Sequence, residues 1–465
     1  MSKIEVNTVD VQCGSTLTLG SSGKTVKIAT GASTCGMGRT GTVDWCTTAK
    51  TSPLTSVSGK GYFINTTGGA VTVTLPASPS AGDIVAIADY ASTFHTYNLT
   101  IGNNSSKING TCASTTLSTK GLSATLVYVD STRGWKQVND ATENISGTPS
   151  FIEATGGTIL TCGNFKTHVF TSDSNFVVTN AGAPGGSTTI DYTVIAGGAG
   201  GGQGTGPAYM GGGAGAGGFR LSNSVGCLAS PVMSPLSNPT GVTVTAQSYP
   251  IVIGAGGAKA PGDSTAGNNG STSSGFSISS AGGGGGAAGG GSPEAGTAGG
   301  SGGGSTQGQP AGAGNTPPVS PPQGNNGGVG APGNTNSGAG GGGAGAVGSN
   351  SPSPSAGGAG GIGSFISDSA FGPTAPSYGQ SGPVSNTRYF AGGGSGSSDG
   401  PAAPGGVTGG IGGGGRGATG SPAVNAANGT TNTGGGGGGG SGCGSGTGLA
   451  GNGGSGIVLV RYKFQ

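Results

Sequence analysis

Short stretches in which apolar and polar residues alternate recur along the first third of the chain. They cover residues 61–65, 70–75, 83–87, 98–101 and 124–129, and Gly, Pro, Asn and Ser fill the intervals between them. A period of two is typical of half-buried strands, and the regular turn signals favour an antiparallel β-sandwich or jelly roll over residues 51–141. Trp135, directly after Gly134, is predicted to close the core of this module.

The first 50 residues have a weaker version of the same pattern. Residues 16–19 and 26–28 alternate apolar and polar positions around a Gly-Ser-Ser-Gly turn. A strand pair this short is not stable alone and requires copies of itself or a larger assembly. Residues 1–50 are therefore predicted to be an attachment or oligomerisation segment.

A second group of alternating stretches begins after a polar connection at residues 141–150. It comprises residues 157–161, 166–171, 175–179 and 188–195, and the most apolar stretch of the protein, residues 456–464, ends the same region. We expect residues 190–195 and 457–464 to pair in one small sheet. The β unit 150–195 and the strand 456–464 would then hold together the two ends of residues 196–455. Joining the ends in this way reduces the entropy cost of closing that segment into a loop.

Glycine dominates that intervening region. The chain contains 113 glycines in 465 residues, and roughly ninety of them lie in residues 196–455. Runs such as residues 282–286 and 434–440 have no side chains to bury, so order there must come from backbone packed on backbone. By composition alone the region is a flexible linker, but turns punctuate its runs and an apolar strand follows it.

An ordered form of such a region is restricted by its hydrogen bonding. No strict Gly-X-Y register is present, which excludes collagen, and the remaining option is a bundle of extended threefold helices of the polyproline II type. These helices have no internal hydrogen bonds, so their N–H and C=O groups must pair sideways with neighbours. The predicted fold class is therefore all-β, with sandwich modules in a fibrous oligomer and a polyglycine II bundle between two strands of a small sheet, in a head of residues 150–465.

Composition and charge narrow the function classes. The apolar fraction is 31%, the charged fraction 7% and the net charge +2, so nucleic acid is not expected as a partner. The chain opens without an apolar signal segment, and we expect synthesis in the host cytoplasm. Seven cysteines at wide spacings form no metal-binding pair and are interpreted mainly as buried thiols, with a Cys35–Cys46 bridge as the alternative.

Candidate catalytic residues have simpler structural interpretations. Residues 213–218 match a GxGxxG phosphate motif, but no helix follows, as a dinucleotide site requires. His95 and His168 have no metal-ligating neighbours at suitable spacing, and Asp83 and Asp89 are interpreted as strand-end residues. We expect no enzyme activity, no cofactor and no metal.

Aromatic and cationic residues stand out within the glycine-rich region. Phe219, Tyr249 and Phe365 are predicted to pack at the edges of the bundle. Packing and binding remain open for four others, which are the candidate receptor-binding residues: Tyr209, Tyr378, Arg388 and Tyr389. Aromatic and Arg side chains at loop tips are the types that contribute most recognition energy, and aromatic faces stack on sugar rings.

Two parts of the chain resemble known protein families. Residues 59–76, GKGYFINTTGGAVTVTLP, with the later Gly134-Trp135, are similar to a β module of tail-fibre and other virion proteins of marine phages, especially cyanophages. Residues 154–158, 168–171, 191–198 and 453–462 resemble the glycine-rich domain that ends many such fibres. The occurrence of the β module before the glycine-rich domain in one chain is more specific for such fibres than either resemblance alone.

This resemblance implies a virion tail fibre or adhesin that binds the host surface without catalysis. Its N-terminus would face tail or capsid proteins, its glycine-rich end would face a host glycan or outer-membrane protein, and it would form a homotrimer. Polyglycine sandwiches also occur in the tip adhesins of some long-tailed phages, but their binding loops cannot be matched residue by residue to this sequence, so no site is carried over from them. The alternatives are a decoration of the capsid or tail without a receptor, and ice or surface binding by a flat face of the bundle.

Overall fold

In the computed structural model of this protein, many alternating stretches of the described residues form strands, and glycine-rich runs form extended helices. The structure describes residues 43–139, 150–206, 209–225, 233–290, 294–333, 337–399, 407–442 and 448–465. Residues 1–42, with most of the predicted attachment segment and with Cys13 and Cys35, lie outside the described residues, as do Cys227 and Cys443. The fold is all-β, as the alternation predicted.

Nine strands form the first unit, and Thr, Val and Ile recur along them. They are β1 (Asp44–Lys50), β2 (Leu54–Thr55), β3 (Lys60–Ile64), β4 (Val71–Thr74), β5 (Ile84–Asp89), β6 (Leu99–Gly102), β7 (Thr115–Leu117), β8 (Ser123–Asp130) and β9 (Gly134–Gln137). They form two sheets, in the orders β1-β3-β5-β8-β9 and β2-β4-β6-β7. Strand β1, which the sequence analysis placed in the N-terminal segment, pairs with β3.

The prediction of an antiparallel sandwich is wrong for the first six strands. The pairs β1/β3, β3/β5, β2/β4 and β4/β6 are all parallel, and antiparallel pairing begins only with β7, β8 and β9. From β1 to β6 the chain changes sheet after every strand. Each sheet therefore receives every second strand in the same direction, an order that alternation along single strands does not encode.

The inward-facing side chains of both sheets form one core. Leu75, Ile87, Leu99 and Ile101 are fully buried in it. Trp135 is also 0% exposed and packs edge-on against Tyr128, with ring centroids 5.6 Å apart, which confirms its predicted place in the core. The glycine before it has its own steric reason, because Gly134 has a φ of +72° and a Cβ there would overlap the backbone of Lys107.

The second unit begins with five strands on the N-terminal side of the glycine-rich region. They are β10 (Ile152–Thr155), β11 (Thr158–Cys162), β12 (Phe165–Phe170), β13 (Ser174–Ala181) and β14 (Thr189–Ile195). Twelve more follow: β15 (Phe219–Ser222), β16 (Ser237–Asn238), β17 (Val242–Thr243), β18 (Ser248–Ile251), β19 (Ser273–Gly275), β20 (Ile278–Ser280), β21 (Ser364–Ser367), β22 (Gln380–Ser381), β23 (Thr387–Phe390), β24 (Thr419–Gly420), β25 (Ala423–Val424) and β26 (Ile457–Lys463). Short 3-10 helices at Asp368–Ala370 and Gly372–Ser377 lie between β21 and β22.

The two ends of the glycine-rich region meet in one sheet, as predicted. Strand β26 lies between β12 and β14 in the order β11-β12-β26-β14-β15-β16, and β14 pairs with β26 from Asp191↔Arg461 to Ile195↔Ile457. Val458, Val460 and Tyr462 face the core shared with β13 and β18, whereas Ile457 and Leu459 face the opposite core. Burial on both faces explains why β26 is the most apolar strand.

Between these strands, glycine-rich runs associate sideways. The N–H groups of Gly197, Gly198 and Ala199 donate to three different runs, and those of the next three residues return to the same runs in the same order. The acceptor carbonyls, in the order of the six donors, belong to Ser271, Gly454, Gly215, Asn268, Gly451 and Gly212, at 2.9–3.1 Å. A repeat of three with only lateral bonds identifies a polyglycine II helix. We call these packed runs, between Ala196 and Gly456, the bundle.

Six neighbours surround this first run. Its carbonyls accept from three further runs, because Gly197, Gly198 and Ala199 bind the N–H groups of Gly283, Gly257 and Gly437, and the next three carbonyls bind those of Gly286, Ala260 and Gly440. In the three runs that accept from the first run, the residue numbers of the acceptors fall as those of the donors rise, so these runs are antiparallel to it. In the three runs that donate to it, the residue numbers of donors and acceptors rise together, so these runs are parallel to it. The lateral pairing predicted from composition is therefore confirmed.

The spacing between runs excludes a side chain at most inner positions. A Cβ built on Gly201 would overlap the carbonyl of Gly438, and one on Gly212 would overlap that of Gly304. Ala199, Ala214 and Ala216 are nevertheless fully buried in the bundle, so single methyl groups fit at a few points. Glycine is thus a steric requirement of the packing at most, but not all, inner positions.

Candidate functional site

Three of the four predicted receptor-binding residues lie on one excursion from the bundle, formed by β21, the two 3-10 helices, β22 and β23. Arg388 projects from β23 across the loop that precedes β22. Its guanidinium donates to the carbonyls of Tyr378 and Gly379 at 2.6 and 3.0 Å and to the Ser381 hydroxyl at 2.8 Å. This cation therefore holds a loop in place, and most of its donors are already used.

The aromatic residues of the excursion pack inward. Tyr389 is 4% exposed, with its ring 5.3 Å from that of Phe365. Of the two roles left open for Tyr389, packing is therefore the one observed, and its ring is not exposed at a loop tip as receptor binding would require. Tyr378 is half-buried and stacks at 5.1 Å on Phe371, which is itself buried.

Tyr209 lies apart from the other three in sequence and in structure. It precedes the second run of the bundle and is half-buried, and its backbone carbonyl accepts from the N–H of Gly442 at 3.2 Å. The four candidates thus do not form one surface. Contact of Tyr209 or Tyr378 with a receptor remains a prediction.

Residues set aside as catalysts have structural partners. His168 is fully buried, with Nδ1 2.7 Å from the Gly156 carbonyl and Nε2 3.0 Å from the Tyr462 hydroxyl. The carboxylate of Asp83 accepts from Ser58 and Ser80, and that of Asp89 accepts from three backbone N–H groups of adjoining turns. These contacts confirm the structural interpretation of these three residues.

The GxGxxG match at residues 213–218 belongs to the second run of the bundle. The N–H groups of Gly213, Gly215 and Gly218 donate to the carbonyls of Ala339, Gly284 and Ala281 at 2.8–2.9 Å. These donors are therefore occupied by other runs and are not oriented toward a phosphate. Within the described ranges, no cluster of three His, Cys, Asp or Glu side chains could hold a metal ion. The same ranges contain no helix of the length and apolarity needed to cross a bilayer.

A surface groove beside β18 and the β19–β20 hairpin has the composition of a ligand site. It has a volume of about 720 Å³ and is open to solvent. Its lining consists of Val242, Thr243, Thr245, Gln247, Ser248, Tyr249, Pro250, Ser274, Gly275, Phe276, Ser277, Ile278 and Ser279. Among these described lining residues none is Asp, Glu, Lys, Arg or His. We call this feature the β18–β20 groove.

Two aromatic rings form the apolar part of the groove. Tyr249 and Phe276 are both half-buried, and their centroids are 5.1 Å apart. Phe276 also contacts the buried ring of Phe176 at 5.6 Å, and the Tyr249 hydroxyl accepts from the Thr245 N–H at 2.8 Å. The rings are thus held from beneath by the core and from the side by a turn.

Backbone pairing makes the groove rigid. Strand β18 pairs with β13, and just after it Val252 and Ser274 exchange two hydrogen bonds of 2.9 Å, which join β18 to β19. Phe276 and Ser277 connect β19 to β20 with φ values of 56° and 62°. A two-residue hairpin turn with two positive φ values normally contains Asn-Gly, and a bulky residue is strained there.

Sequence analysis identified only part of this site. Tyr249 was predicted to pack at an edge of the bundle, and it does pack, on Phe276, while it also borders the groove. Phe276 was missed. Its only local signal is an aromatic residue after glycine in the serine-rich stretch 271–280, and nothing in that stretch indicates a left-handed turn.

Comparison with known proteins covers the glycine-rich region. Residues 171–463 match a family described as a glycine-rich domain. No match was found among curated proteins. The matched residues include β14 and β26, the β18–β20 groove and the bundle between them. Since they make up more than half of the sequence, the chain belongs to the glycine-rich domain family.

Proposed function

We propose that this protein is a virion adhesin that binds the surface of a host cell through its glycine-rich domain. The N-terminal region attaches it to a tail or capsid, and the glycine-rich domain faces the host. The similarity of residues 59–76 and 453–462 to virion fibre proteins of marine phages supports the virion location.

One observation carries the binding role: an open, uncharged groove with two aromatic rings on a rigid support. Ligand sites typically combine apolar and aromatic walls with a few polar groups, on an element that changes little on binding. The β18–β20 groove has this composition, and the buried Phe176 supports Phe276 from below. A purely structural decoration has no use for such a surface.

The proposed mechanism is adhesion by many weak contacts. A homotrimer presents three copies of the groove, and several fibres act on one cell. Linked sites increase avidity by factors of roughly a hundred or more without any new contact, provided that the geometry permits simultaneous binding. Neither a cofactor nor a reaction step is needed.

Binding of the purified, fluorescently labelled full-length protein to a panel of marine cyanobacterial strains tests this proposal. We expect saturable binding to some strains and competition by an excess of unlabelled protein. Antibody labelling of phage particles that carry the gene would locate the protein on the virion. Particles that display the protein, combined with no binding to any strain that those particles adsorb to, would favour a structural decoration instead.

A further inference from the structure

We propose that the β18–β20 groove binds an uncharged oligosaccharide, with Phe276 as the surface on which a sugar ring stacks. This inference rests on the proposed adhesive function and specifies its ligand. The aromatic rings, hydroxyl groups and neutral lining of the groove each point to this class of molecule.

The polar groups of the groove match those of a sugar. Four serine and two threonine side chains line this one concavity, and Thr243, Ser248 and Ser277 among them are exposed. Each hydroxyl both donates and accepts, as sugar hydroxyls do, and Gln247 adds an amide with both functions. A ligand rich in neutral hydroxyls can satisfy this surface without an unpaired charge.

The aromatic pair supplies the apolar part of the contact. The faces of sugar rings present C–H groups, which are attracted to the negative face of an aromatic ring. Phe276 is half-buried beside Tyr249, so ring surface remains available next to the hydroxyl groups. The groove volume of about 720 Å³ lies within the usual 300 to 1,000 Å³ of a small-molecule pocket, so the groove has room for a short oligosaccharide.

Backbone strain at Phe276 supports a functional role. The turn places a bulky aromatic residue at a φ of 56°, where Asn or Gly would be preferred. Strained residues of this kind concentrate at ligand sites, because the strain has to be offset by the surrounding structure. At this position it directs an aromatic ring toward the groove instead of leaving a short polar turn.

Charge argues against an anionic ligand. Arg220 lies next to the lining, and its guanidinium donates to the carbonyl of Ser279 at 3.1 Å. Anionic groups are typically recognised by bidentate Arg or clustered basic side chains, and the described lining contains none. Sulfated or carboxylated sugars are therefore expected to bind more weakly than neutral ones.

An array of neutral, sulfated and sialylated oligosaccharides, probed with the labelled full-length protein, tests this inference. We expect binding to neutral glycans. Phe276→Asn, which suits the turn but removes the ring, should weaken it by about tenfold or more. Ser248→Arg, which leaves both rings in place and puts a bulky cation in the groove, should weaken it similarly. Tyr90→Ala removes an exposed ring of the first unit and should leave binding unchanged.

The outcomes separate this inference from the adhesive function. Binding only to charged glycans, no binding to any glycan, or neutral-glycan binding that survives Ser248→Arg would overturn the inference. Cell binding that persists in both groove variants would leave the protein an adhesin with another site. Glycan binding by a protein that attaches to no host strain would remove the adhesive function while the groove assignment stands.

Discussion

A missing Cβ is the residue-scale feature on which the bundle depends. Gly201 is surrounded by neighbouring runs, and its position allows the carbonyl of Gly438 to lie where a side chain would begin. The obstacle is backbone, which cannot rotate away as a flexible side chain can. Gly262, in a turn of the same domain, has no atom within 4 Å of the corresponding point.

These two glycines make a matched pair for mutation. We predict that Gly201→Ala lowers the free energy of unfolding by about 3 kcal/mol or more, since the added methyl must push two runs apart. Gly262→Ala should change it by about 0.5 kcal/mol or less, or raise it slightly through the unfolded state. Chemical denaturation of the full-length variants measures both. Equal effects of the two substitutions would contradict a steric role for glycine in the bundle.

Asparagine side chains complete the hydrogen bonding where outer runs lack a backbone partner. The Asn452 Oδ1 accepts from the N–H of Lys259 at 2.8 Å, and the Asn428 Oδ1 accepts from the N–H of Asn452 at 2.9 Å. Asn350 and Asn326 do the same for Val329 and Gly314. Each side-chain carbonyl replaces one that a neighbouring run would have supplied.

We therefore predict that Asn452→Ala exposes the Lys259 amide to solvent. Its hydrogen exchange should accelerate, and the domain should lose about 0.5 to 1.5 kcal/mol of stability. The amide of Gly257, which donates to the Gly198 carbonyl at 2.8 Å, is an internal control and should be unaffected. Unchanged exchange at Lys259 would show that the side-chain bond does not protect it.

Strand β26 is the element that joins the two ends of the glycine-rich region. It is buried on both faces and carries Tyr462, whose hydroxyl faces His168 on β12. Burial raises the pKa of Tyr462 to about 12, so this hydroxyl stays protonated and donates to Nε2. The Nδ1–H of His168 then donates to the Gly156 carbonyl, and the ring is neutral.

This arrangement predicts a loss of stability in acid. Burial lowers the pKa of His168 below its usual value of about 6.5, so the unfolded chain binds a proton that the folded chain does not. Stability from this group is present above about pH 6.5 and falls as the pH decreases below it. Between about pH 7.5 and about pH 5.5 the unfolding free energy should fall by up to about 1.4 kcal/mol from this source.

The comparison of two histidine variants isolates this effect. His168→Gln should flatten the dependence of unfolding free energy on pH in this window, whereas His95→Gln, at an exposed position, should retain it. Denaturation curves measured at several pH values decide between them. A slope that survives His168→Gln would assign the dependence to other groups.

At the scale of elements, sequence pattern located strands better than it located their partners. The stretches predicted at residues 70–75, 83–87 and 456–464 coincide with β4, β5 and β26 within a few residues. The parallel order of β1 to β6 was not predicted, because alternation shows which side chains face inward and not which strand lies alongside. Pairing of β14 with β26 could be inferred only because both strands adjoin glycine runs.

For the whole molecule, the bundle connects residues that are far apart in sequence. The first run donates to runs near residues 212–215, 265–271 and 451–454, so no local segment of the glycine-rich region can form its hydrogen bonds alone. Pairing of β14 with β26 holds the two ends of the region together. We expect the bundle and this sheet to fold as one cooperative unit.

Amide hydrogen exchange provides the test of that unit. The N–H groups of residues 197–204 and 211–218 should be protected to a degree similar to those of β14 and β26, because they open only on unfolding of the domain. A flexible glycine linker would exchange at the rate of a random coil. Exchange at that rate in these two runs would show that they do not form lateral hydrogen bonds in solution.

The sequence by itself determined that the glycine-rich region had to pair sideways if it was ordered, because polyglycine II helices have no internal hydrogen bonds and glycine has no side chain to bury. It also determined the main strands, because alternation and burial leave a local signal. Tertiary structure alone decided which runs are neighbours, that Tyr389 packs inward, and that Phe276 and Tyr249 meet in one groove. Glycine runs are nearly identical chemically, so their order depends on the loops, asparagine caps and strands that position them, and not on anything within the runs.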